Sequence, residues 1–182
     1  LSGYQEDFTK DWQLLPAFSI GPSDPTITFT TNTHLHLLEA YTTLYEASHE
    51  DKVLAAIEKL LALFVEKIAP TKVVCQQYFD KNWQALDYPA SFGHDIETSW
   101  LLQRALTICQ LENTAVSEVI QALGENVATK GLDENNIICD SLAEVKKPTM
   151  KTWWTLAEAT IGFFNLSQVT KNPRYQALAQ TQ

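Results

Sequence analysis

The chain of 182 residues is 45% hydrophobic, which is enough to build one domain with a sizeable core. Its 13 basic residues are scattered and are outnumbered by 22 acidic ones, giving a net charge of −9, so nucleic acid is not an expected partner. No apolar run approaches the ~20 residues that cross a bilayer, and no signal-peptide pattern occurs. We therefore expect a cytoplasmic protein without a membrane partner.

Hydrophobic spacing in the first third of the chain predicts two helices. Residues 33–47 place Leu37, Tyr41 and Leu44 on one stripe, and residues 51–69 repeat the pattern. We expect these helices to form a hairpin. The stretch that follows, KVVCQQYF, is rich in β-branched and aromatic residues, which predicts a short β-excursion in the link to the next helix.

The same spacing predicts a second hairpin and the beginning of a third. Residues 94–111 and 114–130 form the second pair, and residues 152–169 begin the third, whose partner starts in NPRYQALAQTQ. The expected fold is all-α, with about three helical hairpins and short β-excursions in their links. The apolar stripe predicted for the helix over 152–169 consists of Trp153, Leu156, Ile161, Phe164 and Val169.

Three cysteines, Cys75, Cys109 and Cys139, lie far apart in the chain. Their odd number and their spacing fit neither a disulfide framework nor a zinc site. We expect them to be buried as small apolar residues.

Unusual polar and aromatic residues recur at the start of each hairpin. The first helices begin near Asn32, His94 and Thr152, at spacings of 94 − 32 = 62 and 152 − 94 = 58 residues. Residues three or four apart on a helix face the same way, so hairpins packed around an axis would direct these residues into one pocket. The three sets are Asn32 with His36, His94 with Glu97 and Trp100, and Trp154 with Glu158.

Four segments carry a resemblance to a known family. TNTHLHLLEAY, SFGHDIETSWLL and WWTLAEATIGFFN, preceded by GYQEDFTKDWQLL, resemble in order and spacing the N-acylglucosamine 2-epimerase and cellobiose 2-epimerase family. The aspartate and the SW pair of GHDIETSW favour the cellobiose branch. The resemblance implies an α/α toroid of six hairpins with no obligatory metal or cofactor. Residues 1–182 would then be a single, incomplete part of that domain.

The resemblance also implies an activity and assigns roles. Members invert C2 of an aldose, or of the reducing-end glucose of cellobiose, by removing the C2 proton and returning one through an enediolate. Histidine suits proton transfer because its ordinary pKa of about 6.5 keeps both forms available near neutrality. By resemblance the catalytic residues are His94, Glu97 and Glu158, and the residues that bind a mono- or disaccharide are Asn32, His36, Trp100 and Trp154.

The resemblance also implies an arginine on an early inner helix and a second catalytic histidine, and neither has a match in this chain. The only arginines, Arg104 and Arg174, lie in no matching motif, and no histidine follows His94 to act as the second base. We therefore expect the chain by itself to be inactive. A homodimer of half-rings could complete the toroid and bring two copies of His94 to one cavity.

Other functions and simpler roles stay open for the same residues. The chain could bind sugar without catalysis, or it could be a helical-toroid glycosidase that uses Glu97 and Glu158 as acid and base. Taken one at a time, His94 could be a helix-start residue and the tryptophans could be core residues. His34 and His36, two apart on a helix, cannot chelate one ion, and we expect His34 to point outward.

Overall fold

The computed structural model describes residues 2–15, 26–142, 145 and 151–182. Helices dominate these residues, and two short strands, β1 Phe29–Thr30 and β2 Tyr78–Phe79, pair antiparallel. A π-helical turn, Phe64–Ile68, extends the second helix. The helices are α1 Thr31–Ser48, α2 Asp51–Leu63, α3 Phe92–Cys109, α4 Thr114–Lys130, α5 Trp153–Thr170 and α6 Pro173–Thr181.

The helices form three hairpins, α1 with α2, α3 with α4 and α5 with α6. The first helices of the pairs also pack on one another, with α3 between α1 and α5, so these three make an inner layer. The predicted all-α fold of helical hairpins is confirmed, and the β-excursion predicted in KVVCQQYF is present as β2. Within the described residues no helix is long and apolar enough to span a bilayer.

Each hairpin turns by the same local device. The inner helices end at His49, Gln110 and Lys171, which are non-glycine residues in the left-handed region with φ of 53°, 53° and 57°. The side chains of Asn113 and Asn172 then accept backbone N–H groups at the starts of α4 and α6, satisfying donors that a helix leaves unpaired. These caps fix the starts of α4 and α6, whereas α2 begins without a side-chain cap.

The segment before each inner helix contains the same small loop. The side-chain oxygen of the loop's first residue accepts the backbone N–H groups two and four residues later, and the loop's fourth residue has a positive φ. Isolated antiparallel bridges close the three loops. The similar letters TKDWQ and DKNWQ mark two of them in the sequence. The first and fourth residues are Thr9 and Trp12, Asp80 and Trp83, and Asp133 and Asn136.

The buried face of α1 differs from the predicted stripe. Leu35 and Leu38 are in the core, whereas Leu44 is exposed. The prediction that His34 points outward was wrong, because its side chain is fully buried. The Tyr4 N–H donates to His34 Nε2 at 3.0 Å, and Nδ1 lies 2.6 Å from the Thr30 carbonyl oxygen. Burial lowers the pKa of His34, so the ring is a neutral element of the core.

The apolar stripe predicted for α5 was also mostly wrong. Trp153 is 79% exposed and Phe164 is 55% exposed, while Ala159, Phe163 and Leu166 fill the core. Contact with α3 on one side and α6 on the other decides which face is buried. When a helix has apolar residues on several faces, its packing partners determine which face is buried. The prediction that the three cysteines are buried is confirmed.

Gly162 allows α5 to approach α3 closely. A Cβ at this position would lie 2.5 Å from Ile96 Cγ1 and 3.1 Å from the Ile96 carbonyl oxygen. The second of these atoms belongs to the backbone of α3, which cannot move aside alone. The close spacing of α3 and α5 therefore depends on the absence of a side chain at Gly162.

We expect Gly162→Ala to lower the free energy of unfolding. Overpacking typically costs about 1–3 kcal/mol, and the better helix propensity of alanine offsets at most about 1 kcal/mol of it. Urea unfolding followed by circular dichroism measures the difference. The exposed Thr160→Ala on the same helix is the control and should change stability by no more than about 0.5 kcal/mol. Equal stability of Gly162→Ala and the parent chain would contradict the close approach.

Candidate active site

A cavity of about 350 Å³ lies at the beginnings of the three inner helices. Every residue that lines it comes from the first two turns of α1, α3 or α5. Six of the seven residues expected from the sequence are brought together here, and Trp153 is an addition. The lining residues are Asn32, His36, His94, Glu97, Trp153, Trp154 and Glu158.

His94 is held at the first turn of α3. The Ser91 side chain caps the helix by accepting the His94 backbone N–H at 3.2 Å. The imidazole Nδ1 lies 2.7 Å from Gln77 Oε1, and the ring is 5.3 Å from the ring of Trp154. Burial lowers the pKa of His94, and the nearby His36 lowers it further. The imidazole is therefore neutral around pH 7 and can accept a proton.

Gly93, the residue before His94, lets the Trp154 indole approach the backbone of α3. A Cβ at Gly93 would lie 2.5 Å from Trp154 Cη2 and 2.7 Å from Trp154 Cζ3. The indole therefore packs directly on the backbone at the start of α3. The absence of a side chain at this position brings Trp154 beside His94.

Glu97 lies one turn after His94 and is buried. Its pKa is raised to about 8, first by desolvation, then by the negative charges of Glu158 and Glu39. A carboxyl group with this pKa is mostly protonated at neutral pH. Glu97 can therefore donate a hydrogen bond or a proton to a molecule in the cavity.

Glu158 is fixed by Trp100 from the neighbouring helix. The Trp100 indole N–H donates to Glu158 Oε2 at 2.7 Å. Although Trp100 was expected to contact substrate, it is not among the residues lining the cavity. It lies against the core and holds the carboxylate of Glu158, which does line the cavity.

Asn32 and His36 form the α1 side of the cavity and are exposed. His36 Nδ1 lies 3.4 Å from Glu39 Oε2, which is too long for a strong hydrogen bond and leaves the ring available. Across the described ranges, no group of three or more His, Cys, Asp or Glu side chains is arranged to hold a metal ion.

Two residues of the site were not identified from the sequence. Trp153 was placed in the apolar stripe of α5, but it lines the cavity. The adjacent tryptophans of KTWWT were a signal, because neighbouring positions of a helix cannot both face the core. Gln77, the partner of His94, lies 17 residues away in the extended link, and no local pattern indicates it.

Asp95 lies behind the cavity in the same turn of α3. Its side chain is fully buried, and Oδ1 accepts the Cys75 backbone N–H at 2.8 Å. Desolvation raises the pKa of Asp95 to about 7, although the hydrogen bond from Cys75 opposes the rise. This carboxyl group anchors the link that carries Gln77.

The sequence profile of the N-acylglucosamine 2-epimerase (GlcNAc 2-epimerase) family matches residues 5–182. The chain belongs to this family. A cellobiose 2-epimerase of Dictyoglomus turgidum is 30% identical over 178 residues, which make up 95% of this chain and 45% of that protein. One of Bacteroides fragilis is 31% identical over 175 residues, covering 91% of this chain and 43% of that protein. The chain thus spans somewhat less than half the length of these relatives.

Solved structures of family members have the same fold. The structure of cellobiose 2-epimerase from Spirochaeta thermophila superposes with a TM-score of 0.87 at 34% identity, over 98% of this chain and 45% of that one. That from Bacillus thermoamylovorans gives a TM-score of 0.90 at 28% identity, over 98% and 46%. The expected resemblance and the all-α toroid architecture are thereby confirmed, with this chain matching part of each toroid.

The raised pKa of Asp95 makes the stability of this epimerase-family chain depend on pH. The folded state binds the Asp95 proton more tightly than the unfolded state, so stability falls as pH rises from about 4 to about 7. At about 1.4 kcal/mol for each pKa unit, the loss is at most about 4 kcal/mol. We expect Asp95→Asn to gain stability relative to the parent chain over this range.

Urea unfolding at pH 4, 5.5 and 7 measures this difference between the two chains. The amide introduced by Asp95→Asn can still accept the Cys75 N–H but has no proton to lose. Asp87→Asn, at an exposed position, is the matched control. A constant stability difference between Asp95→Asn and the parent chain across the three pH values would show that Asp95 does not titrate in this window.

Proposed function

We propose that the cavity binds the reducing-end glucose of a disaccharide such as cellobiose, or a related aldose, and that it contributes to inversion at C2. The observation that carries the proposal is one cavity in which a neutral imidazole, a protonated carboxyl group and a fixed carboxylate converge, from His94, Glu97 and Glu158. Proton removal next to a carbonyl group needs such a base together with donors that stabilise the enediolate oxygens.

His94 is the proposed base. Its neutral ring takes the C2 proton as the C2–H electrons form the enediolate, leaving an imidazolium ion. Glu97 keeps its proton near pH 7, so it can donate to the ring oxygen during ring opening or to an enediolate oxygen. Return of a proton to the opposite face of C2 completes the inversion and requires a second base.

The remaining lining residues are proposed to bind and orient the sugar. Trp154 and Trp153 offer aromatic surface for the apolar face of a pyranose, and Asn32 and His36 offer hydrogen-bonding groups for its hydroxyls. The Glu158 carboxylate accepts a hydrogen bond from a sugar hydroxyl. Trp100 acts through Glu158 in this scheme and does not stack on the sugar.

A glycosidase is the second candidate, and one specific observation favours it. A carboxyl group with a raised pKa beside a carboxylate is the arrangement of a general acid and its partner in glycoside hydrolysis, and Glu97 and Glu158 form such a pair. The two activities give different products, because hydrolysis of cellobiose yields glucose, whereas epimerisation leaves the mass unchanged. A third possibility is sugar binding without chemistry.

We expect the chain to bind cellobiose weakly and to form no epimer. A cavity with a few hydrogen bonds and stacked rings should give a Kd no lower than about 1 mM, or about 4 kcal/mol. One base can exchange the C2 proton with solvent but cannot return a proton to the other face. Titration of tryptophan fluorescence measures binding, and NMR in D₂O detects both deuterium at C2 and any glucosyl-mannose.

His94→Ala should reduce any C2 exchange by about 100-fold or more, while the exposed His49→Ala, on the α1–α2 turn, should leave it unchanged. An epimer that disappears in His94→Ala would show that this chain holds a second base, with His36 as the candidate. Free glucose that disappears in Glu97→Gln would favour the glycosidase. No fluorescence change in folded protein would contradict sugar binding.

We also propose that two chains can associate to complete the ring. The apolar face of α5 that the sequence placed in the core, with Ile161, Phe164 and Val169, is exposed in the single chain. Light scattering at micromolar concentration tests the association, and twice the mass of one chain would support the dimer. Ile161→Glu should return the protein to a monomer. The mass of one chain in the parent protein would contradict the dimer.

A further inference from the structure

The proton of the neutral His94 ring can sit on either nitrogen, and only one choice leaves a base at the cavity. Nδ1 lies 2.7 Å from Gln77 Oε1, so this nitrogen is engaged by the protein. Within the described residues Nε2 has no hydrogen-bond partner, and the ring lines the cavity. Nε2 is therefore the nitrogen available to a substrate.

The orientation of the Gln77 amide is determined by its second hydrogen bond. Gln77 Nε2 lies 2.9 Å from the Cys75 carbonyl oxygen, which can only accept. The amide NH₂ group must point to Cys75, and the amide oxygen must point to His94. Because an oxygen acceptor requires a donor, the His94 nitrogen facing it carries the proton.

Gln77 itself is held rigidly between α1 and α3. Its side chain is buried, and its backbone carbonyl accepts the Thr31 N–H at the start of α1 at 3.0 Å. Two residues earlier, the Cys75 N–H donates to Asp95 on α3. The amide oxygen of Gln77 therefore has little freedom to leave His94.

We propose that Gln77 is a positioning residue, which holds His94 in the tautomer with its proton on Nδ1 and leaves Nε2 as an unprotonated base at the cavity. The proposal rests on the proposed function of His94 in proton removal. Gln77 touches no substrate in this scheme and acts only through the imidazole.

A neutral partner has a different effect from the carboxylate that often orients a histidine. A carboxylate facing Nδ1 would stabilise the imidazolium ion and raise the pKa of His94. Gln77 accepts the same hydrogen bond without a charge. It fixes the tautomer and leaves the protonation of His94 to burial and to the ionisable groups that line the cavity with it, among them His36 on α1, Glu97 on α3 and Glu158 on α5.

The experiment is ¹⁵N NMR of the histidine rings in the folded 182-residue chain, since the shift of each ring nitrogen reports whether it is protonated. His94 signals are assigned by their loss in His94→Gln. We expect the neutral His94 ring of the parent chain to be protonated on Nδ1 alone. A ring protonated on Nε2, or a fast mixture of both forms, would overturn the proposal without any substituted variant.

A matched pair of substitutions separates positioning from packing. Gln77→Met keeps the length of the side chain but removes the acceptor, so we expect the Nε2–H tautomer to appear. Gln77→Glu keeps an acceptor, so the Nδ1–H form should persist, with a higher apparent pKa for His94. A single Nδ1–H tautomer in Gln77→Met would overturn the proposal.

Two internal controls accompany these variants. His34 receives the Tyr4 N–H on Nε2, so its own Nδ1–H tautomer should be unchanged throughout. Gln76→Met alters the adjacent glutamine and should leave His94 as in the parent chain. The tautomer is measured without sugar, so a chain with the expected tautomer that neither binds nor exchanges cellobiose would contradict the proposed function and leave the role of Gln77 intact.

Discussion

The hydrogen bonding of one extended segment, residues 75–79, determines the geometry of the site. Its backbone accepts the Thr31 N–H at the start of α1, and its first N–H donates to Asp95 in the first turn of α3. Its end pairs as β2 with β1, immediately before α1. The starts of α1 and α3 are thereby fixed relative to one another by one extended segment that contacts both. The cavity lies where these starts meet α5, so displacement of the segment would move the α1 and α3 sides of the cavity together.

Burial sets the chemistry of the cavity more than any single ion pair does. His94 and Glu97 are both shifted chiefly by desolvation, and in both cases the shift favours the neutral form. A neutral imidazole is a base and a neutral carboxyl group is an acid, so one physical effect produces both partners of an acid–base pair. Glu158 reinforces the pattern, because its negative charge raises the pKa of Glu97 further while the Trp100 indole holds its carboxylate. Partners with opposite roles in one desolvated space are the usual arrangement for proton transfer near neutral pH.

Repetition explains how so short a chain can surround a cavity on three sides. Each inner helix follows a loop closed by a side chain at its first position, and each ends in a left-handed residue before its outer partner. Equivalent units place equivalent helix starts at one end of the layer. The units differ in the side chains that their first turns direct into the cavity. On α3 these include a histidine and a glutamate, and on α5 they include two adjacent tryptophans. Two solved cellobiose 2-epimerases superpose on this fold with TM-scores of 0.87 and 0.90.

The sequence by itself determined the helices, their pairing and six of the lining residues, because these depend on local spacing and on ordered motifs. Helix α4 was predicted at its observed bounds, 114–130, and α1, α3 and α5 were predicted within two residues of theirs, while the helix predicted over 51–69 covers both α2 and the π-helical turn that follows it. The tertiary structure decided which faces are buried: α5 has apolar residues on several sides, and its packing against α3 and α6 selects the buried one. It also decided that His34 lies in the core, since the backbone donor from Tyr4 that makes burial tolerable is 30 residues away. The pairing of His94 with Gln77 was likewise decided by the tertiary structure. The hydrogen bond joins Gln77 to His94, 17 residues later. It leaves no periodic pattern in the sequence, because it forms only when the link folds across two helix starts.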